Sequence, residues 1–142
     1  VGLPPPPRGP IFADTNILIR AQRGDALALA EIRAGETRVT PSQYKEFLNV
    51  TTPAQVKARK AFLDAEGVKV YGGPAAGAVA KDPNFRAVFD ATRAAGHSRA
   101  DAALAAFAKV TTAEAVTDEA RLRNFFVHTR PRLGVPIRRL PR

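Results

Sequence analysis

The sequence has no cysteine, no methionine and no tryptophan, and only two histidines in 142 residues. Without cysteine there can be no disulfide staple, no thiolate nucleophile and no zinc site built on sulfur. Two histidines are too few for a His-rich metal site, so any metal must be held by oxygen, which favours Mg²⁺ or Mn²⁺. No apolar run approaches the roughly 18 residues of a spanning helix, and no secretory leader is visible. These absences exclude a membrane protein. At 45% hydrophobic and 25% charged residues the composition is that of a folded domain rather than a disordered chain. The start at Val1 and the lack of any methionine lead to the expectation that the chain was cut, either by removal of an initiator or, as the favoured reading, as the end of a longer protein.

Acids are also scarce: 13 Asp and Glu stand against 22 Lys and Arg, for a net charge of +9. The imbalance is local. Residues 120–142 carry Arg121, Arg123, Arg130, Arg132, Arg138, Arg139 and Arg142 and no acid at all. An arginine-rich tail beside a nearly neutral body suggests a polyanion partner, because guanidinium pairs bidentately with phosphate. A solvated, partly disordered tail is the alternative reading of the same charges.

Val1 to Pro10 contains four consecutive prolines and no apolar pattern, so residues 1–10 read as a proline-rich linker. After it, strands and helices alternate. Ile11 to Ala13 suits a buried strand, followed by helices from Ile17 to Gln22 and from Ala26 to Ala34. Thr37 to Thr40 is a second strand. Thr40-Pro41-Ser42-Gln43 has the cap, first-turn proline and capping-box residue of a helix start, and Thr52-Pro53 repeats the signal. Val68 to Tyr71 alternates like a strand, whereas Gly72 to Val79 gives no readable pattern. Helices are expected after Asp82-Pro83 and from Ala102 to Val110, then a strand at Ala115 to Thr117 and a helix from Glu119 to Phe126. Val135 to Leu140 reads as an edge strand, since Pro136 cannot donate to a ladder. This order predicts an α/β fold, a three-layer α/β/α sandwich with a central, mostly parallel sheet.

In such sheets ligands bind beyond the carboxyl ends of the strands. Two apolar strands end directly in an acid, one in Asp14 and the other in Asp118. Asp101 follows Ser98 as the acid of a capping box, and Glu46 sits near the apolar face of the helix that starts at Pro41. Each has an ordinary structural reading as a cap or a solvated side chain.

Their order along the chain resembles that of PIN-domain nucleases, the family that includes the VapC-like ribonuclease toxins. Asp14-Thr15-Asn16 resembles the opening motif. Thr40-Pro41-Ser42-Gln43-Tyr44-Lys45-Glu46-Phe47-Leu48 resembles the second strand and its acid-bearing helix. Asp101 with the alanine-rich helix after it, and Val116-Thr117-Asp118, are similar to the remaining two motifs. The resemblance runs from about Ile11 to Phe126, and residues 127–142 form an Arg-rich tail outside it.

The resemblance implies a metal-dependent endoribonuclease in which Asp14, Glu46, Asp101 and Asp118 hold Mg²⁺ or Mn²⁺, and metal-activated water attacks an RNA phosphodiester to leave 5′-phosphate and 3′-hydroxyl ends. Thr15, Asn16 and Thr117 are expected to support the acids by hydrogen bonding. Arg121, Arg123, Arg130, Arg132, Arg138 and Arg139 are candidate RNA contacts, and His97 and His128 are expected bystanders. Further expectations are a toxin or effector role in a cytoplasm, delivery as part of a larger secreted protein, an acidic antitoxin or immunity protein as partner, and homodimerisation. Two other functions fit less of the sequence: a PIN-like module that binds RNA without cutting it, and an aspartate-based phosphohydrolase. The second generally needs another Asp two positions after the first, where this chain has Asn16.

Overall fold

A computed structural model describes residues 8–142. Its elements are β1 (Arg8–Ala13), α1 (Thr15–Gln22), α2 (Ala26–Arg33), β2 (Gly35–Val39), α3 (Pro41–Phe47), α4 (Pro53–Ala65) and β3 (Lys69–Val70). There follow α5 (Gly73–Ala80), α6 (Pro83–Ala94), α7 (Arg99–Thr111), β4 (Glu114–Thr117), α8 (Ala120–Asn124) and β5 (Ile137–Arg139). The five strands form one sheet in the order β3-β2-β1-β4-β5, and every pairing is parallel. The fold is thus the α/β sandwich expected from the alternation of elements.

Strand periodicity divides the core in two. Ile11 and Ala13 of β1 and Val116 of β4 face one layer, where they pack with Ile17, Leu18, Ile32, Val39, Phe47 and Leu63. Phe12 and Ala115 face the other, with Phe85, Leu104, Phe107, Leu122 and Phe125. Adjacent strand residues point to opposite faces, so one short apolar run serves both layers. Phe12 is fully buried, with its ring against Tyr71 and Phe107. Truncating such a residue costs about 3–5 kcal/mol.

Helix α7 lies deepest. Every residue from Ala102 to Ala108 is buried, and five of the seven are alanine. Small side chains let this helix pack closely against the sheet on one side and α6 on the other, while Leu104 and Phe107 fill the gaps that remain. Ser98 caps its first turn by accepting a hydrogen bond from the Asp101 amide at 3.1 Å.

The fold corrects several boundaries. The first seven residues of the expected linker lie outside the described residues, and Arg8, Gly9 and Pro10 belong to β1. Arg8 is tied in by its guanidinium, which donates to the carbonyls of Glu31 at 2.7 Å and Glu36 at 2.8 Å and to Thr37 Oγ1 at 2.8 Å. Gly35 permits that approach, since a Cβ there would meet the Arg8 carbonyl oxygen at 2.8 Å. The stretch without a readable pattern is helix α5. Residues 127–142 are no loose tail: after α8 the chain makes a π-helical turn (Phe125–Thr129) and a 3₁₀ turn (Pro131–Leu133), and β5 then extends the sheet beside β4.

The chain runs from β1 outward through β2 to β3, then returns to place β4 on the opposite side of β1. The crevice this reversal opens lies between the carboxyl ends of β1 and β4. Among the described residues no helix is long and apolar enough to cross a membrane.

Candidate metal centre

Three carboxylates meet at that crevice. Asp14 follows β1 and caps α1, Asp101 lies in the first turn of α7, and Glu119 occupies the cap position of α8 just after β4. One oxygen from each lies within 4.8 Å of the others. None of the three takes part in an ion pair within the described residues, although ten such pairs exist elsewhere.

Asp14 is held on both oxygens. Its Oδ1 accepts from the Thr15 amide at 2.7 Å, and its Oδ2 accepts from the Thr117 hydroxyl at 2.7 Å. Thr117 Oγ1 in turn accepts from the Glu119 amide at 3.1 Å, so one buried threonine links two members of the cluster. Thr15 Oγ1 is buried without a hydrogen-bond partner next to Asp14.

Crowding and burial change the acidity of all three. Asp14 is pushed up to about 7 by burial, with the Thr117 hydrogen bond opposing and the nearby charges of Asp101 and Glu119 adding to the rise. Burial also raises Asp101, against the pull of Ser98 and His97, and it raises Glu119, where Asp101 and Asp118 add repulsion. Like charges this close without a cation are unfavourable unless a proton or a metal ion is shared. The donor set is all oxygen and already gathered, which fits a hard divalent cation.

The expected and observed sets of acids differ. Asp14 and Asp101 come together as expected. Glu46 is exposed on α3 and outside the trio, yet near enough for its charge to raise both Asp101 and Glu119. Asp118 does not join the cluster: its Oδ2 lies 3.7 Å from Arg20 and from Arg142, and its Oδ1 accepts from Asn16 Nδ2 at 3.4 Å. The physical reason is that consecutive acids at a strand end diverge, so Asp118 turns toward α1 and the C-terminus while Glu119 turns toward α7. The strand-end pattern pointed to the acid adjoining the strand, whereas it is the neighbouring Glu119 that joins the cluster. The available signal was the two-residue step from Thr117 to Glu119, which lets the threonine hydroxyl meet the acid's own amide.

The supporting residues divide in the same way. Thr15 and Thr117 serve Asp14, whereas Asn16 serves Asp118. Of the arginines, Arg138 is committed to Glu114 at 2.9 Å and to Glu31, at the far end of the sheet from the acid cluster. Arg139 donates to the Asp118 carbonyl at 3.3 Å, and Arg123 to Asn124 Oδ1 at 3.2 Å. Arg121, Arg130 and Arg132 are exposed. Beside the cluster, a groove of about 770 Å³ runs between α3 and the start of α7, lined by Tyr44, Lys45, Glu46, Asn49 and Arg99 among others.

No protein-family model matches the chain, and no curated protein is significantly similar to it.

Proposed function

We propose that the protein is a divalent-metal-dependent endoribonuclease whose metal ligands are Asp14, Asp101 and Glu119, with Glu46 bordering the site. The observation that carries this reading is the meeting of three carboxylates within 4.8 Å at the switch point of a parallel sheet, with no basic side chain among the described residues paired to them. A bound Mg²⁺ or Mn²⁺ supplies a water of lowered pKa and stabilises charge on the scissile phosphate.

The chain's own groups prepare the site. Thr117 and the Thr15 amide hold the Asp14 carboxylate in one orientation, so that its remaining lone pairs face the crevice. Ser98 fixes the turn that carries Asp101. The groove beside α3 offers Lys45 and Arg99 to the strand's phosphates, and the exposed Arg130 and Arg132 add charge along the C-terminal segment. RNA as substrate, and 5′-phosphate and 3′-hydroxyl products, follow from the resemblance to PIN-domain nucleases. So do a toxin or effector role and an acidic inhibitor covering the cleft.

The test is a labelled RNA incubated with the protein in Mg²⁺, Mn²⁺ or EDTA. Cleavage should require metal and vanish in Asp14→Asn. Cleavage that persists in EDTA, or in that variant, overturns the mechanism.

A further inference from the structure

Beside the acid cluster lies a second cavity, of about 350 Å³, lined by Ala95, His97, Arg121, Asn124, His128 and Thr129 together with Phe125. No carboxylate lines it, and its charge comes from Arg121. His97 is only 5% exposed, yet its ring makes no side-chain hydrogen bond to any described residue. Its ring nitrogens keep access to the cavity, where they can meet a ligand's oxygen. One side of the imidazole is taken by Phe125, at 5.3 Å between ring centroids, and the ring borders the cavity.

Arg121 is similarly underused. Its hydrogen bond within the described residues goes to the Ala95 carbonyl at 3.3 Å, which leaves most of its five donors free. His128 and Thr129 are brought to the same wall by the π-helical turn, closed by the Arg130 amide donating to the Phe125 carbonyl at 2.8 Å. Such turns interrupt regular helices and frequently mark functional sites.

The cavity adjoins the cluster through two of its members. The charge of Asp101 reaches His97, and that of Arg121 reaches Glu119. Its chemistry suits a phosphate, because Arg121 brings charge and His97, Asn124, His128 and Thr129 bring hydrogen-bonding groups, with no carboxylate among them. Burial, and then Arg121, hold His97 below the usual histidine range, and Arg121 brings the cavity's charge.

We propose that this cavity binds a backbone phosphate of the RNA strand next to the linkage that is cut, with Arg121 and His97 donating to its oxygens. The proposal rests on the nuclease reading for its substrate, and its test separates the two.

The chain's two histidines give two resolvable imidazole signals by NMR, and His128→Gln assigns them. The full chain is titrated in EDTA with a short single-stranded RNA, and separately with inorganic phosphate. Both histidine signals should move with RNA. Arg121→Gln should weaken RNA binding about tenfold and lower the log–log salt slope by about 0.7. RNA that binds with both signals unmoved, or with unchanged affinity for Arg121→Gln, overturns the proposal. So does inorganic phosphate moving the signals where RNA does not, which would mark a site for the free anion. Histidine shifts in a chain that never cleaves RNA in Mg²⁺ support the cavity and sink the nuclease reading. Cleavage with unmoved histidines does the reverse.

Discussion

The two ends of the central sheet treat acids in opposite ways. At the amino ends of the strands, Glu31 and Glu114 are matched by Arg138, and Arg8 lies 3.7 Å from Glu31, so two acids and two arginines close into one network. At the carboxyl ends of β1 and β4, Asp14, Asp101 and Glu119 crowd together with no such partner among the described residues. The same strands carry both arrangements, a few residues apart. The paired end joins β1, α2, β4 and β5 and is explained by the fold alone. The unpaired end opposes folding unless a proton or a cation is shared there.

The sharpest way to break this contrast is chemical. Asp14→Asn should lose RNA cleavage by more than the roughly 10–100-fold typical of removing a group that merely supports a ligand, measured on labelled RNA in Mg²⁺. Thr117→Val, which frees one Asp14 oxygen, should fall within that 10–100-fold range.

The same Asp14→Asn change should stabilise the metal-free protein. Asp14 sits near 3.8 when unfolded and about 7 in the fold, so between those values the native state holds a proton that the unfolded chain has released. Stability therefore falls as pH rises through this window, and the deficit is complete above it. Urea unfolding in EDTA should show wild type losing stability from pH 4 to 8 relative to Asp14→Asn, by on the order of a few kcal/mol. Added Mg²⁺ should restore wild type and leave the variant less affected. A pH dependence identical in the two proteins would mean that the acids at this end are no less content than those at the other.

The fold was largely legible in the sequence because its signals are local. Thr40-Pro41, Thr52-Pro53 and Asp82-Pro83 all start helices where expected, since cap chemistry depends only on near neighbours. Helix α5 was not legible: Gly73 to Ala80 has two glycines, a proline and small apolar residues, buries only Ala76, and is shaped by the tertiary contacts around it. In the C-terminal segment the edge strand was readable and is β5, whereas the pairing of its arginines was not: Arg138 finds Glu31 107 positions away in the chain, a distance no sequence window covers. At the candidate site, Asp14 and Asp101 were readable from strand-end and helix-start positions. The choice between Asp118 and Glu119 depended on which way each side chain turns, and for Asp118 that is settled by Arg20 and Arg142.

At the paired end the signs reverse. Glu31→Gln removes a carboxylate shared by Arg138 and Arg8, and should destabilise the protein by about 1–2 kcal/mol. This is less than for a fully buried pair, because the Arg138 side chain is 39% exposed. Unfolding at pH 7 in EDTA measures it, and the sign should be opposite to that of Asp14→Asn under the same conditions. Cleavage by the folded variant should be unaffected.

The smallest effect is expected where the two kinds of arrangement meet, at Asp118. It sits one residue from Glu119 but is paired with Arg20 and Arg142, as the acids at the other end are paired with their arginines. Asp118 is buried, but both contacts are 3.7 Å long, Arg142 is mostly exposed and Arg20 keeps Asp25 at 3.2 Å, so Asp118→Asn should cost only about 1 kcal/mol. Asparagine keeps the carbonyl that Asn16 Nδ2 can reach. Cleavage by Asp118→Asn should then stay within about threefold of wild type, while Glu119→Gln should lose activity as Asp14→Asn does. The paired comparison isolates side-chain direction, because the two acids are neighbours on one turn and differ in their partners. If Asp118→Asn is the inactive variant and Glu119→Gln the active one, metal binding must turn this strand end around, and the contrast between paired and unpaired acids does not identify the ligands.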